Sequence, residues 1–120
     1  MEEYQTEAER LWGESSEFHE SRARTTRYTH ADFAAAKVDQ EAVTELFVTA
    51  YGNGYSVNSL DTREAVAAHR AAISKWFYEC SIEMQKNLAL LYISDPRFKE
   101  YYESRVRGLA HYVHDAIMAQ

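Results

Sequence analysis

The stretch DTREAVAAHRAAISKWFYECSIEMQKNLALL, residues 61–91, decides the fold. Its apolar residues Val66, Ile73, Trp76, Phe77, Cys80, Met84, Leu88 and Leu91, with His69 among them, recur at helical spacing. That is one continuous buried stripe, and no alternating strand pattern competes with it. Asp61-Thr62-Arg63-Glu64 offers the acceptor and acid of an N-cap box at its start. Thirty residues would make a long single helix for a small domain. A break near residues 78–81 is the alternative, because Ser81 can cap a new start with Glu83 behind it. Both readings are helical.

Working outward, Ser94-Asp95-Pro96 is a restart, with aspartate at the cap and proline at the first helical position. A short helix follows to about Tyr102, and Gly108 precedes a last one carrying Leu109, Tyr112, Val113, Ala116 and Ile117. Toward the N-terminus, Tyr51-Gly52-Asn53-Gly54-Tyr55 reads as a loop that continues to about Leu60. The helix before it carries Phe33, Ala36, Val43, Leu46, Phe47 and Ala50, and Thr29 caps it with Asp32 as an imperfect capping-box partner. A helix from Ser16 to Tyr28 and a short one from Glu3 to Leu11, closed by Gly13, complete an all-α expectation.

The chain has 120 residues, which implies one domain with a real core. Its net charge of -6 argues against binding a phosphate backbone. The one basic cluster, Arg22, Arg24 and Arg27, lies beside Glu14, Glu17 and Glu20 and reads as an exposed helix face. No run approaches the length of a membrane span, and the acidic start is no signal peptide. With one cysteine and no export signal, a cytoplasmic protein is expected. Residues 1–30 hold only Met1 and Leu11 as large aliphatics, their other apolar anchors being mainly Tyr4, Trp12, Phe18 and Tyr28. They bury little alone and are expected to form a mobile helical lid over a core at residues 31–120, or else a hairpin lying on its surface.

Cys80, directly behind Trp76-Phe77-Tyr78, is either a small buried hydrophobe or a reactive thiol. A helix starting at Ser81 would favour the thiolate, whereas Glu79 and Glu83 oppose it. His69 and Cys80 share a face but stand ~16 Å apart along a helix axis, too far for a dyad. His111 and His114 lack further metal ligands of recognised spacing, so neither metal nor cofactor is expected. An apolar stripe containing His69 is globin-like in outline, although a satisfied core histidine is the simpler reading. Among the aromatics, Phe33, Phe47, Trp76 and Phe77 read as core; Trp12, Phe18, Tyr28, Tyr78, Tyr92 and Tyr101 are open to lining a pocket for a flat ligand.

Several segments together resemble one family, the TipAS domain. They are Glu7-Ala8-Glu9, Trp12-Gly13, Ser21 with Thr26 and Tyr28, His69-Arg70, Ile73-Ser74, Trp76-Phe77-Tyr78 and Cys80-Ser81. They continue through Leu88-Ala89, Tyr92, Asp95-Pro96-Arg97-Phe98, Tyr101, Gly108-Leu109-Ala110, Tyr112-Val113 and Ala116-Ile117. The resemblance implies a globin-like helical arrangement and antibiotic binding by the effector half of a thiostrepton-inducible, MerR-type activator, or by a free sequestering form. It also implies a cysteine at the Cys80 position that adds to a dehydroalanine of a thiopeptide, beneath N-terminal helices that order on binding. Met1 stands where such domains usually carry a further Phe-x-Gly-Phe-like start, which implies a slightly shortened domain, and the loop at residues 51–60 matches no family pattern.

The expected function is therefore a receptor for a thiopeptide-like antibiotic, not an enzyme. It is expected to be monomeric within a dimeric regulator and to contact neither nucleic acid nor membrane. Cys80 is the expected nucleophile. Trp12, Phe18, Tyr28, Trp76, Tyr78 and Tyr92 are the expected stacking walls, and His69 the polar anchor. The alternatives are a non-covalent binder of another large hydrophobic antibiotic and a helical interaction module.

Overall fold

The computed structural model describes residues 16–120. The expected helix over residues 3–11, its stop at Gly13 and the wall residue Trp12 lie outside them. Six helices follow in order: α1 (Ser16–Thr25), α2 (His30–Gly52), α3 (Leu60–Trp76), α4 (Ile82–Ser94), α5 (Pro96–Glu103) and α6 (Leu109–Met118). The described residues contain no strand.

Local chemistry sets most boundaries. Thr29 and Asp32 make a complete capping box: the Asp32 amide donates to Thr29 Oγ1 and the Thr29 amide to Asp32 Oδ2. The Ser94-Asp95-Pro96 restart is also present, with the Arg97 amide donating to Asp95 Oδ1 at 2.9 Å. The long stripe is two helices. α3 stops at Trp76, and Ser81 caps α4 by accepting from the Met84 amide at 3.0 Å. The cap of α3 is Ser59 and not Asp61. Thr62 is buried and hydrogen-bonds the Tyr112 hydroxyl at 2.8 Å, so that position belongs inside the first turn.

Gly108 opens α6 with φ +91, and a Cβ there would strike the Tyr51 hydroxyl. The first amides of α6 are served by Glu103, the last residue of α5, whose carboxylate accepts from Gly108 and Ala110. These two bonds hold its acidity above that of an ordinary glutamate, lowering its pKa.

The central helix is α6: Leu109, Ala110, Val113, Ala116 and Ile117 are fully buried. They pack with Phe47 from α2, Ala65 and Val66 from α3, and Met84, Leu88 and Ala89 from α4 in one cluster. Phe33, Trp76 and Phe77, expected in the core, are only half-buried. Leu46, on the expected apolar face of α2, is 48% exposed. Trp76 and Phe77 border a cleft and not the packed interior, whereas Phe33, in the first turn of α2, meets Tyr28 edge-on at 5.6 Å.

Candidate functional site

The cleft opens between α1, α2, α3 and α4. Phe18 and Arg22 reach it from α1, Val43 and Thr44 from α2, and His69, Ile73 and Trp76 from α3. Met84, Leu88 and Tyr92 come from α4 and Tyr102 from α5, so the lining is mainly apolar. Its space, open mouth included, is about 1090 Å³, enough for a large organic ligand.

One polar cluster interrupts this apolar lining. His69 is buried, with Nε2 2.9 Å from the Tyr92 hydroxyl and Nδ1 2.8 Å from Gln85 Nε2. Burial disfavours the imidazolium and lowers the His69 pKa to about 4, so the ring is neutral at physiological pH. Gln85 also donates to the Val66 carbonyl at 2.9 Å and is fully buried.

Helix α1 is fastened over the end of α3. A helix C-terminus leaves carbonyls without intrahelical donors. Here Arg24 donates to the Ser74 carbonyl at 2.6 Å, and the Tyr28 hydroxyl donates to that of Trp76. Glu20 pairs with Arg24 and accepts from the Glu79 amide at 3.2 Å. On the other side, Trp76 Nε1 donates to Asp39 at 2.7 Å and Lys75 pairs with the same carboxylate. The Trp76 bond, followed by Lys75, lowers the Asp39 pKa. Trp76 is therefore held from both sides.

Cys80 is 5% exposed and does not border the cleft. Its amide donates to Ser74 Oγ at 3.0 Å, which tucks the connection at residues 77–81 back against α3. Burial pushes its thiol up to about 11; Arg70 opposes the rise, while Glu17 and Glu79 add to it. The start of α4 thus does not produce a thiolate here, because desolvation outweighs the helix end.

Of the residues expected at the site, Phe18, His69, Trp76, Tyr78 and Tyr92 line the cleft together. Tyr28 stands behind the wall, its ring 5.8 Å from that of Trp76 in an edge-on arrangement. Sequence reasoning missed Gln85, Thr44 and Tyr102. Gln85 carried a signal: it lies one turn after Ser81 and seven residues before Tyr92, a polar residue on a buried face. Thr44 and Tyr102 reach the cleft only through the packing of α2 and α5 and carried none. Among the described residues no group of three histidine, cysteine or acidic side chains could hold a metal ion, and no helix is long and apolar enough to cross a membrane.

Comparison with known proteins agrees with this architecture. The family model of the TipAS antibiotic-recognition domain matches residues 4–120. The HTH-type transcriptional activator TipA of Streptomyces coelicolor is 31% identical over 117 residues, which is 98% of this chain and 46% of that protein. TipA of Streptomyces lividans gives the same figures. The HTH-type transcriptional activator mta of Bacillus subtilis is 24% identical over 115 residues, 96% of this chain and 44% of that protein. The chain thus spans about half the length of the curated relatives it matches. A solved structure of nosiheptide in complex with TipAS, from a thiopeptide antibiotic multidrug resistance system of Streptomyces lividans, aligns with a TM-score of 0.88. That match has 30% identity and covers 98% of this chain and 82% of the other. With the family model matched over residues 4–120 and the helical fold aligned over nearly the whole length, the chain belongs to the TipAS antibiotic-recognition domain family.

Proposed function

We propose that this chain is the effector part of an HTH-type transcriptional activator and captures a thiopeptide-type antibiotic in the cleft between α1 and α4. The observation that carries the reading is the cleft itself: a large apolar space walled by Phe18, Trp76, Tyr78 and Tyr92, in a chain of this family. Flat aromatic faces suit a large ligand with planar rings. The chain acts as a cytoplasmic receptor and not as an enzyme. It is one domain, with residues 1–30 as a lid and residues 31–120 as its core. Fastening of α1 by Arg24 and Tyr28 supports the lid, because these few bonds join it to a surface that the ligand also touches. DNA contact and dimerisation belong to other parts of the regulator, in keeping with a net charge of -6.

Cys80 then completes capture by addition. The thiol gives up its proton to solvent, sulfur bonds to the terminal alkene carbon of a dehydroalanine as the double bond opens, and the neighbouring carbon takes a proton from water. Nothing leaves, so the product weighs the sum of the two reactants. Because Cys80 is buried, this step follows binding and requires residues 77–81 to swing outward. The same burial favours a second reading, in which capture is wholly non-covalent. Intact mass after incubation with a dehydroalanine-bearing thiopeptide separates them: a one-to-one adduct absent from Cys80→Ala supports addition, and reversible binding without adduct supports the second. No binding at all sinks both.

A further inference from the structure

Gln40 is a polar residue on an apolar helix face. On α2 it stands four residues after Ala36, three before Val43 and seven before Phe47, and all three of those are buried. Helical spacing therefore turns Gln40 inward with them. It is half-buried and lines the cleft. A glutamine amide carries two donor hydrogens and an acceptor oxygen. The Gln40 backbone carbonyl accepts from Thr44 Oγ1, but among the described residues no hydrogen bond reaches its side-chain amide. No described side-chain nitrogen or oxygen is both buried and without a partner, so water reaches this amide through the open cleft. The neighbouring polar groups of the wall are already engaged. His69 is bonded at both ring nitrogens, Thr44 Oγ1 lies 3.0 Å from the Tyr101 hydroxyl, and Trp76 Nε1 donates to Asp39. Glu17, Ser21 and Arg22 also border the cleft, but from α1, the segment proposed above as the lid. Gln40 belongs to the packed helix opposite, where a side chain is held more precisely.

We infer that Gln40 determines the specificity of the cleft: its amide pairs with the N–H and the carbonyl that one extended residue of a peptide-type ligand turns to the same side. The inference rests on the ligand-binding reading above and deepens it. A ligand that fills the cleft strips the water from the Gln40 amide. Desolvating an amide without replacing its hydrogen bonds is unfavourable, and a flat hydrocarbon replaces none of them. A peptide backbone replaces both kinds, with an acceptor for an amide hydrogen and a donor for the amide oxygen. The apolar walls accept any flat ring, and Gln40 selects rings that are set in a peptide.

Two probes test this, titrated against Cys80→Ala so that only reversible binding is read. One is nosiheptide, the thiopeptide of the similar structure, and the other is pyrene, which is flat and has no hydrogen-bonding group. Methionine matches glutamine in length and helix propensity. Adding Gln40→Met should weaken nosiheptide binding about tenfold, the size of one net hydrogen bond or more, and leave pyrene bound as tightly or more tightly. Undiminished nosiheptide affinity overturns the proposal, and so does an equal loss for both probes, which marks a deformed wall. The side-chain amide resonances of Gln40 in the unaltered chain decide independently, even where the variant does not fold. Signals that move downfield and exchange more slowly in the nosiheptide complex support the pairing, and unmoved signals refute it. Failure of the unaltered chain and of Cys80→Ala to bind nosiheptide overturns both this inference and the function on which it rests, whereas binding with unmoved Gln40 signals overturns the inference alone.

Discussion

The Cys80 thiol shows how environment overrides position. It sits beside a helix start, where a free thiol would gain acidity, yet burial raises its pKa from the ordinary 9.0 to about 11. Its thiolate fraction near neutral pH is then about a hundredfold below that of the same thiol in water. Alkylation by iodoacetamide at pH 7.5 should therefore be at least about a hundredfold slower in the folded chain than in urea. Equal rates would mean that Cys80 is not buried. His69 follows the same physics with opposite charge. Its folded pKa, about 4, lies below its ordinary 6.5, so between those values the unfolded chain binds the extra proton. The neutral ring costs nothing above pH 6.5, and the penalty grows as pH falls toward 4, reaching on the order of 3 kcal/mol. Urea titrations from pH 7 to 4 should show that slope reduced in His69→Gln, while an unchanged slope would place the titration elsewhere.

Helices α1 and α3 meet through polar contacts beside the apolar cleft that Phe18, Ile73 and Trp76 line. Phe18 and Thr25 are the buried residues of α1, while its Glu20 and Arg24, and Tyr28 just beyond it, hydrogen-bond residues 74–79. Those bonds satisfy carbonyls at the end of α3 and lie next to the connection that carries Cys80. Arg24→Ala is expected to cost about 1 kcal/mol of global stability, because the site is partly open to water. It should speed Cys80 alkylation about tenfold by loosening residues 77–81. A stability loss with no change in alkylation would separate the fastening from the thiol. At the far end of the molecule Glu103 does a similar service for α6, but within one tight turn and beside the buried core.

The whole molecule joins a well-packed half to a cleft. Phe47, Val66, Leu109, Val113 and Ile117 are completely enclosed, whereas α1 and the end of α3 border open space. Ligand burial in that space should stabilise mainly the segments around it. Hydrogen exchange with nosiheptide at saturation should slow most in residues 16–28 and 72–80 and least in α6. Uniform slowing would instead indicate a general stability gain, and unchanged exchange in residues 16–28 would remove the lid.

Much of this architecture was legible locally. Thr29 with Asp32, Ser81, and Asp95 with Pro96 are caps that work through amides two or three residues away, so the sequence carries them in full. The three-and-four spacing of Val66, His69, Met84 and Leu88 specified helical faces for the same reason. Phe18, Tyr78 and Tyr92 were legible as wall candidates because aromatics can line an apolar pocket as well as fill a core, whereas Trp76 read both ways. Ser59 was missed as a cap because the choice depends on Thr62 finding Tyr112, fifty residues away. That Cys80 is buried, and that His69 bridges Gln85 and Tyr92, followed from distances between helices. The sequence by itself determined the helices and their caps, since those depend on neighbours along the chain. Only the tertiary structure decided which side chains line the cleft and that the one thiol, Cys80, is buried, since desolvation and long-range hydrogen bonds arise from elements packed across space.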